Sequence, residues 1–194
     1  MLPHAVYALI VTSLLSLGAC APARSERMVP PPAGTEFPAN SVLRGSIALR
    51  DVGGGEETAW HPSVGDKELR EAFLSALQQH GLLQTDDAEA HFRLNVFLID
   101  LSNPGAGFSL TVNSLVRYTL RRADSGAVIF DDVINAPHTA TMADGLFQPM
   151  RLRVANEGSI RANIVEFLER LNAQPISAAL DDQHGIGTAV WRGA

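Results

Sequence analysis

Side chains able to do chemistry are few in this sequence and are spaced badly for it. The histidines stand at 4, 61, 80, 91, 138 and 184, and none forms the His-Glu-x-x-His spacing that sets two imidazoles on one helix face around a metal. No Gly-x-Ser-x-Gly elbow and no Gly-Lys-Ser/Thr phosphate loop occurs. The run Gly53-Gly54-Gly55 lacks a following Lys-Ser/Thr, and Glu56-Glu57 would repel an anion there. Asp86-Asp87, Asp131-Asp132 and Asp181-Asp182 are adjacent carboxylates. Neighbours on a strand point to opposite faces, and such pairs in loops are solvated. His138 beside Thr139 and Thr141 is the one polar cluster, and it reads as a surface loop. A nucleophile, a base and a stabilising group with a reason to converge are missing. The expectation is no catalytic site, no metal site and no cofactor.

Cys20 carries the clearest chemistry. It follows Ala5 to Leu17, 13 uncharged and mostly apolar residues, the length of a signal-peptide core and too short to span a bilayer. Leu17-Gly18-Ala19-Cys20 resembles the bacterial lipobox: a branched aliphatic, two small residues, then the cysteine that is acylated before cleavage. Residues 1–19 are expected to be a signal peptide and Cys20 the lipid-attachment site. The n-region Met1-Leu2-Pro3-His4 departs from the pattern in lacking Lys or Arg. Acyl chains contribute about 0.8 kcal/mol per buried methylene, so the membrane itself becomes a partner through Cys20. Cys20 is the single cysteine, which excludes an intrachain disulfide and a Cys-rich zinc site. Ala21 in place of Asp resembles the sorting signal of outer-membrane lipoproteins, which implies an anchored domain facing the periplasm.

The elements that position everything else fit one domain, since 194 residues with 46% hydrophobic and 19% charged content build a single core plus tails. A net charge of −6 offers no basic field to recruit nucleic acid. Residues 20–40 carry five prolines without periodicity, which predicts a semi-extended tether after the lipidated cysteine. An ordered arm that docks Met28, Val29 and Phe37 is the less favoured alternative. The folded domain is expected at 41–173. Residues 174–194 should be a loose tail, in which Trp191 could pack back or meet lipid or a partner.

Within that domain, Leu43 to Val52 predicts a strand ending at the glycine run. From Asp66, the residues Leu69, Ala72, Phe73, Ala76 and Leu77 share one helix face, with acidic residues in the first turn and Gly81 near the end. Phe92 to Leu98 and Phe108 to Leu120 alternate as half-buried strands, joined by Asn103 to Gly107. Ala123-Asp124-Ser125-Gly126 turns the chain into a further strand, Ala127 to Ile134, completing a meander. Residues 135–150 read as an irregular crossing. Glu157 to Leu171 predicts a second helix with Ile160, Ile164, Phe167, Leu168 and Leu171 on one face. The fold class is α+β, in the order β-α-β-β-α, with an antiparallel sheet and two helices packed on one face.

Signal, lipobox, tether and a β-α-β-β-α domain of this size together resemble the small outer-membrane assembly lipoproteins, in particular those of lipopolysaccharide assembly. The likeness covers roughly Val42 to Leu171, and this sequence lacks the extra cysteines that many of those proteins use. It implies a non-catalytic binding module that stabilises an envelope protein complex or contacts lipopolysaccharide, with Arg117, Arg121 and Arg122 as candidate partner or phosphate contacts. An accessory lipoprotein of an envelope transport or secretion system is a second reading. There a protein would dock on the edge strand Val42 to Leu49 or on the polar sheet face. An envelope enzyme is a third.

Overall fold

A computed structural model describes residues 23–32, 34–56, 63–102, 104–105 and 107–176. In chain order the elements are α1 (Ser25–Met28), β1 (Ile47–Gly53), α2 (Asp66–Gln79), β2 (Phe92–Leu101), β3 (Leu110–Arg122), β4 (Val128–Ala140), a 3-10 turn (Met142–Asp144) and α3 (Gln148–Asn172). The strands form one sheet in the order β1-β2-β3-β4. On β3 every second residue from Leu110 to Leu120 is buried and the intervening ones are not, the period-two pattern of a sheet covered on one side. Tyr118 shows what covers it. Its ring stacks on Phe167 of α3 at 4.2 Å and meets Phe73 of α2 edge-on at 5.7 Å, so both helices lie on the same face.

The α+β class and the two helices on one face hold, but the sheet is mixed. β1 pairs with β2 in parallel, Ile47 opposite Phe92, while β2-β3 and β3-β4 are antiparallel. The intervening helix is the cause. α2 carries the chain back along the sheet, so β2 must start at the end where β1 started. α2 stops at Gly81, whose positive φ of 67° lets the amides of Gly81 and Leu82 cap the carbonyls of Gln78 and Leu77.

The sequence expectation differs from the structure in four further places. Residues 23–40 form a docked arm. Ala23, Met28, Phe37 and Leu43 belong to the main core, and Met28 is fully buried. α1 wedges between the helices, with Ser25 bonded to Glu71 of α2 (3.1 Å) and the Arg27 carbonyl accepting from Arg161 of α3 (3.0 Å). The prolines that suggested a free leash instead reduce the entropy lost when the arm is ordered. Secondly, β1 begins at Ile47, and residues 42–45 form a turn. Thirdly, β4 runs on to Ala140 through Pro137. A proline is tolerated there because β4 is an edge strand and its missing donor breaks no ladder. Lastly, α3 starts at Gln148, with Pro149 in its first turn. Its first half hides Arg151, Asn156, Glu157 and Ser159, polar residues that blur the apolar periodicity. The predicted signal peptide, Cys20 and Trp191 lie outside the described residues.

Candidate functional site

The three candidate arginines do not form one site. Arg117 and Arg121 project from the sheet face that no helix covers, whereas Arg122 has the opposite phase and is only partly exposed. Arg122 is held by Asp124 in the following turn, at 3.0 and 2.5 Å. It lines a depression of about 760 Å³ together with Arg44, Gln84, Glu89 and His91. Arg117 lies midway along β3 and makes a two-pronged pair with Asp131 of β4, at 3.0 and 2.7 Å. That hydrogen-bonded pairing raises the Arg117 pKa and lowers that of Asp131, and Arg122 lowers Asp124 in the same way. Arg121 donates to the Gly126 carbonyl at 3.2 Å. Arg117 and Arg122 therefore come already neutralised by a carboxylate, and the three are split between two faces.

What the open face does assemble is a row across three strands. Phe97 of β2 stands opposite Arg117, and Arg117 opposite Val133 of β4. Phe97 is 54% exposed and Val133 44%, so a paired guanidinium sits between two large apolar side chains facing water. Beside it a shallow groove is lined by Asp51, Val52, Phe97, Arg117 and Thr119. The sequence signal for this row was the large apolar residue Phe97 in the outward phase of β2, where its neighbours Arg93 and Asn95 are polar.

The expected edge-strand dock is closed. The amide and carbonyl of Ile47 on β1 bond to Leu82 and Gln84 (3.0 and 2.8 Å), and Arg70 of α2 donates to the carbonyls of Leu49 and Arg50. Little of that edge remains to pair with another strand. The threonine-histidine cluster is dispersed as well. Thr139 faces the open side and bonds Thr111 at 2.8 Å. His138 faces the helices, its ring so close to Gly158 that a Cβ there would stand 2.1 Å from Cδ2. Burial, and then the charge of Arg161, lower the His138 pKa, while Asp144 opposes them.

One polar group of residues is fully internal and was not legible as a cluster. The Tyr118 hydroxyl donates to Asn163 Oδ1 at 2.7 Å, and Asn163 Nδ2 donates to the carbonyls of Ser114 and Ile134, each at 3.0 Å. Ser114 and Ser159 bond the Ser159 and Ala136 carbonyls in turn, at 3.1 and 2.7 Å. Burial pushes the Tyr118 pKa well up, and the hydroxyl is spent on Asn163. The arrangement locks α3 onto β3 and β4. Among the described residues, no group of three or more His, Cys, Asp or Glu side chains could hold a metal ion. No helix among them is long and apolar enough to cross a membrane.

No protein-family model matches the sequence, and the comparison with curated proteins finds no match. Solved structures share the fold. A hypothetical protein from Chlamydia trachomatis is 12% identical, with a TM-score of 0.51 over 70% of this chain and 99% of that one. A protein from Xanthomonas campestris described by the DUF330 family model is 10% identical, with a TM-score of 0.52 over 78% and 97%. At these identities the likeness is one of fold alone.

Proposed function

We propose that this chain is a non-catalytic docking module of the bacterial cell envelope, held on the outer membrane through acylated Cys20 and facing the periplasm. Its open sheet face takes a protein partner. The observation that carries the proposal is the row Phe97, Arg117 and Val133, exposed on a sheet face that the protein's own helices leave uncovered. Apolar side chains around an arginine have the composition of an interface centre, where a few residues dominate binding. A protein partner suits this row better than the phosphates of lipopolysaccharide, because Arg117 already holds Asp131 and Arg122 points elsewhere.

The test is site-specific photo-crosslinking in cells from Val133 on the sheet face and from Glu169 on α3. It is followed by purification of the full lipidated chain from detergent-solubilised membranes, with mass spectrometry of bound proteins and lipids. An envelope protein captured from Val133 and not from Glu169, and lost at least tenfold in Phe97→Asp, is the expected result. Capture of lipopolysaccharide alone, or equal capture from both positions, would overturn the proposal.

A further inference from the structure

A second exposed apolar patch lies at the end of the molecule where α3 begins. Phe108 is 82% exposed, Leu146 76% and Phe147 71%, with Met142 and Met150 beside them at 43% and 44%. The backbone carrying these side chains is fixed. Arg151, itself buried, donates to the carbonyl of Gly107 at 3.0 Å and to those of Gly145 and Leu146 at 3.1 and 3.2 Å, and it touches the Met142 sulfur at 3.0 Å. One guanidinium thus fastens the end of the β2–β3 connection to the β4–α3 connection. Beneath it, Leu110, Val112, Ala140, Leu152 and Ala155 form a small core of their own. Large apolar side chains on pinned loops cannot fold inward to escape water, and a contiguous exposed patch of this kind marks a contact.

We infer that this tip is a lipid contact, dipping into the membrane surface to which the chain is anchored. The inference rests on the proposed acylation of Cys20 only for the level at which the tip meets the bilayer. Ala23 is pinned by its amide to the Ser63 carbonyl (3.3 Å), and the Arg24 amide donates to the buried carboxylate of Glu157 on α3 at 2.9 Å. Cys20 is three residues upstream, so at most about 11 Å of chain separates it from this clamp. Glu157 is nine residues into α3, which puts the clamp about 14 Å from the helix start along its axis. An acyl group on Cys20 can therefore reach to within about 3 Å of the level of Leu146, Phe147 and Phe108 when the intervening chain extends toward the start of α3. A free 20–40 leash would leave the orientation open, whereas the docked arm keeps this end within reach of the bilayer. Aromatic, leucine and methionine side chains at the headgroup boundary gain from apolar burial without charge. With a net charge of −6 the contact owes little to anionic lipid.

The experiment uses the full mature chain, lipidated and reconstituted in phosphatidylcholine vesicles. The natural cysteine is the only one and is blocked once acylated, so Phe147→Cys offers one thiol for a nitroxide label, with Phe97→Cys on the sheet face as control. We expect the label at Phe147 to be at least fivefold less accessible to a water-soluble nickel chelate than the label at Phe97, and more accessible to oxygen. In the Cys20→Ala chain, Phe147→Ser with Phe108→Ser should weaken binding to the same vesicles at least tenfold. Raising the salt from 0.1 to 0.5 M should change it less than twofold. A Phe147 label as open to nickel as the Phe97 label overturns the inference, with Cys20 acylation read separately by mass spectrometry. If Cys20 carries no acyl group and the Phe147 label still enters vesicles, the anchor fails and the lipid-contact tip stands.

Discussion

Replacing Met28 by Ala tests whether the N-terminal arm is part of the fold or merely rests on it. Met28 is fully buried between α2 and α3. Truncating such a side chain to Ala costs about 2–5 kcal/mol, the lost transfer energy plus the cavity left behind. Apart from the buried Ala23 and Phe37, the arm is attached by single hydrogen bonds, among them Gln79 to the Pro30 carbonyl (2.8 Å), His80 Nδ1 with the Thr35 carbonyl (2.9 Å) and Arg161 to the Arg27 carbonyl (3.0 Å). Each contributes about 0.5–1.5 kcal/mol net, so none replaces Met28. Local opening should therefore become at least about 30-fold more frequent, the factor equivalent to 2 kcal/mol. Amide exchange of the peptide 23–32, followed by mass spectrometry, should accelerate by that factor, and Tm should fall by at least about 5 °C. Released, residues 21–43 would form a leash spanning about 26 Å on average, against at most about 11 Å of chain between Cys20 and the docked arm, and the domain would be held less closely to the membrane. Unchanged exchange of 23–32 together with an unchanged Tm would refute the reasoning and return the arm to a leash.

Tyr118→Phe and Asn163→Leu should each cost about 1–3 kcal/mol, because each leaves a buried partner unbonded. The double variant should cost at least about 1 kcal/mol less than their sum, read as a coupling energy in urea unfolding. Simple additivity would mean that the Tyr118–Asn163 bond does not hold α3. Gly158→Ala, a change that normally favours a helix, should destabilise by about 1–3 kcal/mol because the new Cβ meets the His138 ring. His138→Ala in the same chain should restore the loss, and failure to do so in thermal unfolding would place the clash elsewhere. The lowered pKa of His138 means that the folded chain binds fewer protons there than the unfolded one. Its contribution to stability is present above the unfolded value of about 6.5 and is lost as pH falls through it toward the folded value. His138→Gln should flatten Tm against pH between 7.5 and 5.5, and an unchanged slope would assign that dependence to other groups.

Local pattern settled a good part of this protein. The alternation of Phe92 to Leu98 and of Leu110 to Leu120, and the five-residue apolar face of Asp66–Gln79, reappear as β2, β3 and α2. A period of two or of 3.6 is written by neighbours in sequence, and burial of one face follows from it. The outward phase of Arg117 and Arg121 was legible for the same reason. The rest was decided by contacts between residues far apart in the chain. The parallel β1 follows from the path of α2, and the docking of Met28 from the gap between two helices. The early start of α3 depends on distant partners for Arg151, Glu157 and Ser159: the Gly107 carbonyl, the Arg24 amide and the Ala136 carbonyl. A polar residue reads as surface until its partner is known, and that partner is supplied only by the tertiary fold.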